Sequence, residues 1–214
     1  MKKLINIVLF MSLSLVADNE ISVTQAGNSA AIDLEQLGSS NLIGGTSAES
    51  GSMTALDLDG VSMILDINQI GSSNVFRSDA IDGDNFTGFF EFTGDSNVFD
   101  ILMDSTGLID SDYVNLNINV TGSSNTFDLA IAEDDDASYL DLDWIITGGS
   151  NAFDFDIDYA NAINYVDVNG SSNTLNFSGS GYAGNTSSDS GYFYLDLDGS
   201  SNTIDVTQSS TLAR

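Results

Sequence analysis

Carboxylates are the groups in this sequence that could do chemistry, and their spacing narrows which chemistry. Of 214 residues, 32 are Asp or Glu against 4 Lys or Arg, a formal net charge of −28. Paired carboxylates can serve as acid and base in glycoside hydrolysis. Here the pairs recur, Asp141 with Asp143 and Asp196 with Asp198, on flat strand faces, and none stands apart as an active site would. An enzyme is therefore not expected. Carboxylates also hold calcium, which accepts several oxygen ligands in loose geometry. Asp100, Asp128 and Asp154 share one offset from a recurring turn, and Asp134, Asp135 and Asp136 are consecutive, so both sets are candidate Ca2+ ligands. Neither an EF-hand spacing nor a Gly-Gly-x-Gly-x-Asp nonapeptide accompanies them. The competing reading is a solvated acidic face with diffuse counterions.

Other chemistry is excluded by what the chain lacks. Without His or Cys it has no disulfide, no Cys/His metal site and no base for a serine or cysteine triad. Its charge argues against nucleic acid as a partner, because phosphate binding needs a basic surface.

The elements that would position the carboxylates are set by a turn, Gly-x-Ser-Asn. It occurs at Gly38 to Asn41, Gly71 to Asn74, Gly94 to Asn97, Gly122 to Asn125, Gly148 to Asn151, Gly170 to Asn173 and Gly199 to Asn202. A decayed copy, Gly60-Val61-Ser62-Met63, carries Met in place of Asn. Apolar residues alternate on both sides, as in Leu116, Ile118 and Val120 before Gly122, then Phe127, Leu129 and Ile131 after Asn125. Alternation of period two marks a strand with one buried face. A unit repeated at short period marks a stack. The fold class predicted is all-β, a two-sheet β-solenoid of strand-arc-strand rungs. About 16 short strands would make seven to eight rungs, a stack roughly 35–40 Å long at ~4.8 Å per rung. An antiparallel sandwich with short turns is the competing architecture.

Parity places each arc Asn on the face of the apolar residues that follow it, so stacked Asn side chains should form an inward amide ladder. Gly and Asn are the arc residues expected to take positive φ. The 11-residue spacings Gly27 to Gly38, Gly60 to Gly71 and Gly83 to Gly94 suggest two arcs per rung. One edge would carry Gly27, the 44–51 stretch, Gly71 and the later Gly-x-Ser-Asn arcs. The other would carry Gly38, Gly60, Gly83 and then loops near 105–112, 133–137, 159–162 and 179–190. Three residues after the arc Asn stand Arg77, Asp100, Asp128, Asp154, Asn176 and Asp205, which should be neighbours on successive rungs. Two carboxylates ~4.8 Å apart repel by about 1 kcal/mol in bulk water, so such a column calls for screening, proton sharing or a bridging cation. Phe90, Phe127, Phe153 and Phe177 keep inward parity and read as core; Tyr113, Tyr139, Tyr182, Tyr192 and Tyr194 fall near the loop-bearing edge and are expected to be partly exposed there.

Residues 1–17 read as an export signal, with Lys2 and Lys3 ahead of an apolar run, Leu4 to Val16, that is too short to span a membrane. An uncleaved anchor is the alternative. Removal would leave residues 18–214 with only Arg77 and Arg214 as cations.

Gln36-Leu37-Gly38-Ser39-Ser40-Asn41 and Gln69-Ile70-Gly71-Ser72-Ser73-Asn74 carry Gln-x-Gly-x-x-Asn, and Gln25-Ala26-Gly27-Asn28-Ser29-Ala30 a shortened version. With this motif over about residues 19–75, the chain resembles the curlin family, subunits and nucleators of curli amyloid. After Asn74 the Gly-x-x-Asn half persists while the Gln is replaced, and the acidic loops are foreign to the family. The resemblance implies secretion through outer-membrane export machinery to the bacterial cell surface. It also implies end-to-end homopolymer growth into extracellular fibres, with a related nucleator or subunit as a further partner. The rival function is a monomeric acidic β-solenoid acting as a calcium-binding surface adhesion module.

Overall fold

The computed structural model describes residues 6–10, 20–44, 56–103, 113–131, 139–158, 162–183 and 192–212. In chain order the strands are β1 (Asn6–Phe10), β2 (Glu20–Ile21), β3 (Thr24–Ala26), β4 (Ala31–Leu37), β5 (Leu42–Ile43) and β6 (Leu56–Asp59). They continue as β7 (Ile64–Ile70), β8 (Val75–Asp82), β9 (Thr87–Thr93), β10 (Val98–Met103), β11 (Val114–Thr121) and β12 (Thr126–Ile131). The last are β13 (Leu140–Thr147), β14 (Ala152–Asp158), β15 (Ile163–Asn169), β16 (Thr174–Ala183), β17 (Tyr192–Asp198) and β18 (Thr203–Leu212). No helix occurs among the described residues, so none there is long and apolar enough to cross a membrane.

Every strand pairing among these elements is parallel, which rules out the antiparallel sandwich. One sheet runs β1-β4-β7-β9-β11-β13-β15-β17; the other runs β18-β16-β14-β12-β10-β8-β5-β2, with β3 and β6 beside it. Each Gly-x-Ser-Asn arc carries the chain from the first sheet to the second, and six turns of the resulting β-solenoid separate the first arc from the last. Both inner faces are apolar, and they close on one another. Leu116, Leu142, Ile118 and Trp144 come from one side; Phe127, Phe153, Leu129 and Phe155 come from the other. Rings stack along the axis, with centroids 4.3 Å apart for Phe99 and Phe127 and 5.2 Å for Phe127 and Phe153. Phe90, Phe127, Phe153 and Phe177 are buried as parity predicts.

The first rung departs from the expected arrangement. Gly38 lies on the same edge as Gly71, since Ser40 N–H donates to Ser72 O and Gly38 N–H to Ile70 O. Gly27, Gly60 and Gly83 stack on the opposite edge, where Gly27 N–H donates to Asp59 O and Gly60 N–H to Asp82 O. Of the 44–51 stretch, expected to form an arc, only Gly44 is among the described residues. β5 and β6 lie end to end along the single strand β8, Leu42 and Ile43 against Val75 and Phe76, then Leu58 and Asp59 against Ile81 and Asp82. Because β5 and β6 occupy one strand row, no half-rung separates them, and counting one there shifted the edges of Gly27 and Gly38.

β1 lies against β4, Asn6 to Phe10 in register with Ala31 to Glu35, and so forms the outermost strand of its sheet at the N-terminal end.

Candidate functional site

Each arc is built on two residues of positive φ, with one residue between them. Gly takes φ near +140° in the middle arcs, and a Cβ on Gly122 would run into the carbonyl oxygen of Gly94 on the neighbouring rung. The second positive φ belongs to Ser and not to Asn: Ser96, Ser124 and Ser150 sit at 60°, 60° and 59°. The expectation for Asn was wrong because its side chain is needed inward. Gly bends the chain at the strand end, Ser completes the reversal in the left-handed region, and the following Asn returns to ordinary backbone aimed at the core. Stacking satisfies the turned backbone, as Ser96 N–H donates to Ser123 O at 3.0 Å and Gly94 N–H to Thr121 O at 2.8 Å.

The Asn ladder exists, with a different bond carrying it. The backbone N–H of each arc Asn donates to the side-chain Oδ1 of the Asn on the next rung. The distances are 3.0 Å for Asn41 to Asn74, 2.8 Å for Asn74 to Asn97 and 2.9 Å for both Asn97 to Asn125 and Asn125 to Asn151. The series ends with Asn151 to Asn173 at 3.0 Å and Asn173 to Asn202 at 2.8 Å. Side chain to side chain, Asn151 Nδ2 reaches Asn173 Oδ1 at 3.2 Å. Asn151, Asn173 and Asn202 also donate Nδ2 to Gly122 O, Gly148 O and Gly170 O on the preceding rung. Gln36 and Gln69 are buried and joined by a bond from Gln69 Nε2 to Gln36 Oε1 of 2.9 Å. On the opposite edge the equivalent inward positions are apolar, Ala30, Met63 and Phe86, all buried.

The carboxylate column stands as the offset predicts: Arg77, Asp100, Asp128, Asp154, Asn176 and Asp205 are register neighbours on the outer face of the second sheet. Arg77 Nε lies 3.8 Å from an oxygen of Asp100, an exposed pair of small energetic weight. Among the described residues, no three acidic side chains converge as a metal site. Asp134, Asp135 and Asp136 lie outside the described residues. On the first sheet Asp33 and Asp66 are register neighbours. Partial burial of the Asp66 carboxyl, then the charges of Asp33 and Glu91, raise its pKa above the usual aspartate value of 3.8.

Tyrosines divide between two places. Tyr113 and Tyr139 stack at the loop-bearing edge with centroids 4.7 Å apart and planes 2° from parallel. Tyr192 and Tyr194 project from the outer face of β17 beside Tyr165, which sequence reasoning passed over; its outward parity between Asn164 and Val166 was the available signal. The side chain of Tyr182 lies outside the described residues.

The two ends of the stack differ from its middle. At the C-terminal end β17 and β18 each pair on one side only among the described residues. Of their inward apolar side chains Phe193, Leu195 and Ile204 remain partly buried against the core, while two are uncovered: Leu197 is 41% exposed where its register neighbour Val168 is 2%, and Val206 is 40% where Phe177 is 3%. Comparisons with protein-family models, with curated proteins and with solved structures found no match to this chain.

Proposed function

We propose that this protein is a secreted structural subunit that stacks end to end, copy on copy, into extracellular fibres at a bacterial surface. The observation that carries the reading is the open core at the C-terminal end. Among the described residues, a row of unpaired strand N–H and C=O groups beside half-exposed Leu197 and Val206 is a surface that a further parallel rung would complete. Asn202 holds Asn173 N–H through its Oδ1, and its own backbone N–H is the next donor in the series, so an incoming arc Asn would be placed in register. At the other end β1 lies in the segment that reads as an export signal. Its removal would leave β4 as the edge strand, so in this proposal export and exposure of the second stacking surface are one event.

Electron microscopy of the chain with and without residues 1–17, each with calcium and with chelator, tests the reading. Fibres from the shortened chain support it, and fibres in calcium alone would assign the acidic column to cation bridging. Leu197→Lys with Val206→Lys is expected to abolish fibres while leaving the rungs before β17 folded. Discrete monomers from the shortened chain under both conditions would move the assignment to the acidic surface module.

A further inference from the structure

The outer face of the first sheet carries a second organised surface, independent of how the ends behave. Across β11, β13, β15 and β17 it is hollowed into an open depression of about 500 Å³, lined by Asp141, Asp143, Asp167 and Asp196 around Tyr165 and Tyr194. The register gives it an internal order. Asp143, Tyr165 and Tyr194 form one column along the stack axis; Asp167 and Asp196 form the adjacent column; Asp141 stands on the opposite flank. The two tyrosine rings lie 5.6 Å apart, tilted 50° to one another, and both are about half exposed, 44% for Tyr165 and 45% for Tyr194.

We infer that this depression binds a linear organic polyamine, an aliphatic chain bearing two or more ammonium groups. Three features select that chemistry. The charge is wholly negative, and among the described residues the single cation, Arg77, is on the other sheet. The aromatic floor offers ring faces that attract an ammonium group and apolar area for methylenes. The carboxylates stand at one end of that floor, Asp143, and along its two flanks and do not converge, so they suit several separated charges better than one compact ion. Calcium would gain nothing from tyrosine rings and would ask for several oxygens at one point. A rod-shaped ligand lying along the axis would set its methylenes on Tyr165 and Tyr194 and its ammonium groups beside Asp143, Asp167 and Asp196.

Calorimetric titration of the full chain with spermidine tests the site. Saturable binding that weakens with salt is expected, because exposed charge pairs are screened. Tyr165→Val with Tyr194→Val, which keeps residues suited to a strand, should weaken binding about 10-fold through loss of cation–π contact. Asp143→Asn with Asp167→Asn should weaken it while retaining the rings. Asp100→Asn with Asp128→Asn, on the other sheet, should leave it unchanged. Circular dichroism of each variant confirms that the strands persist. The inference is overturned if spermidine does not bind, if the tyrosine variant binds as the parent does, or if substitutions on the two sheets weaken binding equally, which is diffuse counterion attraction. A lysine-rich peptide displacing spermidine through the same tyrosines at far lower concentration would overturn the small-ligand assignment in favour of a protein partner.

Discussion

The middle of the stack and its last rung are made of the same parts and behave differently. Val168 and Leu197 occupy one register position on successive strands, as do Phe177 and Val206, yet the first of each pair is buried and the second is not. Nothing in the residue types accounts for this. In a solenoid an inward side chain is covered by the rung beyond it as much as by the sheet opposite, so stability is a sum over neighbours and the end rung has only one. What protects the middle is stacking, and the same surface at the end remains available.

Substitutions placed in pairs, one in the middle and one at an end, break or sharpen that comparison. The largest difference is expected at glycine. Gly122→Ala meets the Gly94 carbonyl and is strained in φ as well, so it should cost about 3 kcal/mol or more. Gly27→Ala, with only the end of the Gln25 side chain near its Cβ position, should cost about 1 kcal/mol from φ alone. Urea denaturation of both gives the comparison directly, and equal costs would mean the arcs do not derive their rigidity from stacking.

The Asn ladder should show the same gradient more gently. Asn125→Ala removes the Oδ1 that accepts the buried Asn97 N–H and should cost about 2 kcal/mol, the penalty for an unsatisfied buried donor. At Asn202→Ala the solvent at the open end can reach the Asn173 N–H, so about 0.5 kcal/mol is expected. In assembled fibres the Asn202 substitution should become as costly as the central one, which a melt of fibre against monomer would read.

The core of the penultimate rung contains a polar residue that its neighbours would not require. Asn164 is buried between Leu142 and Phe193 in its column, and among the described residues its Oδ1 has no hydrogen-bond partner. Asn164→Leu should therefore raise stability by about 1 kcal/mol, seen as a higher denaturation midpoint.

The smallest effect belongs to the outer face. The raised pKa of Asp66 means the folded state binds its proton more readily than the unfolded chain does. Its penalty is present at neutral pH and fades as pH falls through the raised value towards 3.8. Asp66→Asn should gain no more than about 0.5 kcal/mol at pH 7, an exposed and screened contribution, and nothing at pH 3. A stability profile for parent and variant across that range checks the sign.

Much of the molecule could be read from spacing. Inward parity at Phe127 and Phe153, the turn at Gly122 to Asn125 and the column of Asp100, Asp128 and Asp154 are local or fixed-offset features, and alternation with period two transmits them faithfully along a strand. The edge of the first arcs was illegible, because the Gly-rich composition of residues 44–51 reads as an arc and only strand pairing shows that β5 and β6 continue one row. The left-handed Ser was hidden for a related reason: Gly, Ser and Asn all tolerate turns, and which of them takes positive φ depends on which side chain the core needs.

The sequence by itself determined the strand-arc-strand repeat, the inward parity of its apolar residues and the outward columns of acids, since each follows from short-range periodicity. Tertiary structure decided the rest. Which edge an early arc occupies, how Tyr165 and Tyr194 come to lie among four carboxylates from three strands, and that Leu197 and Val206 are left uncovered all depend on which strands pair. Pairing joins residues far apart in the chain, and the spacing between them is not periodic where residues such as 44–51 intervene.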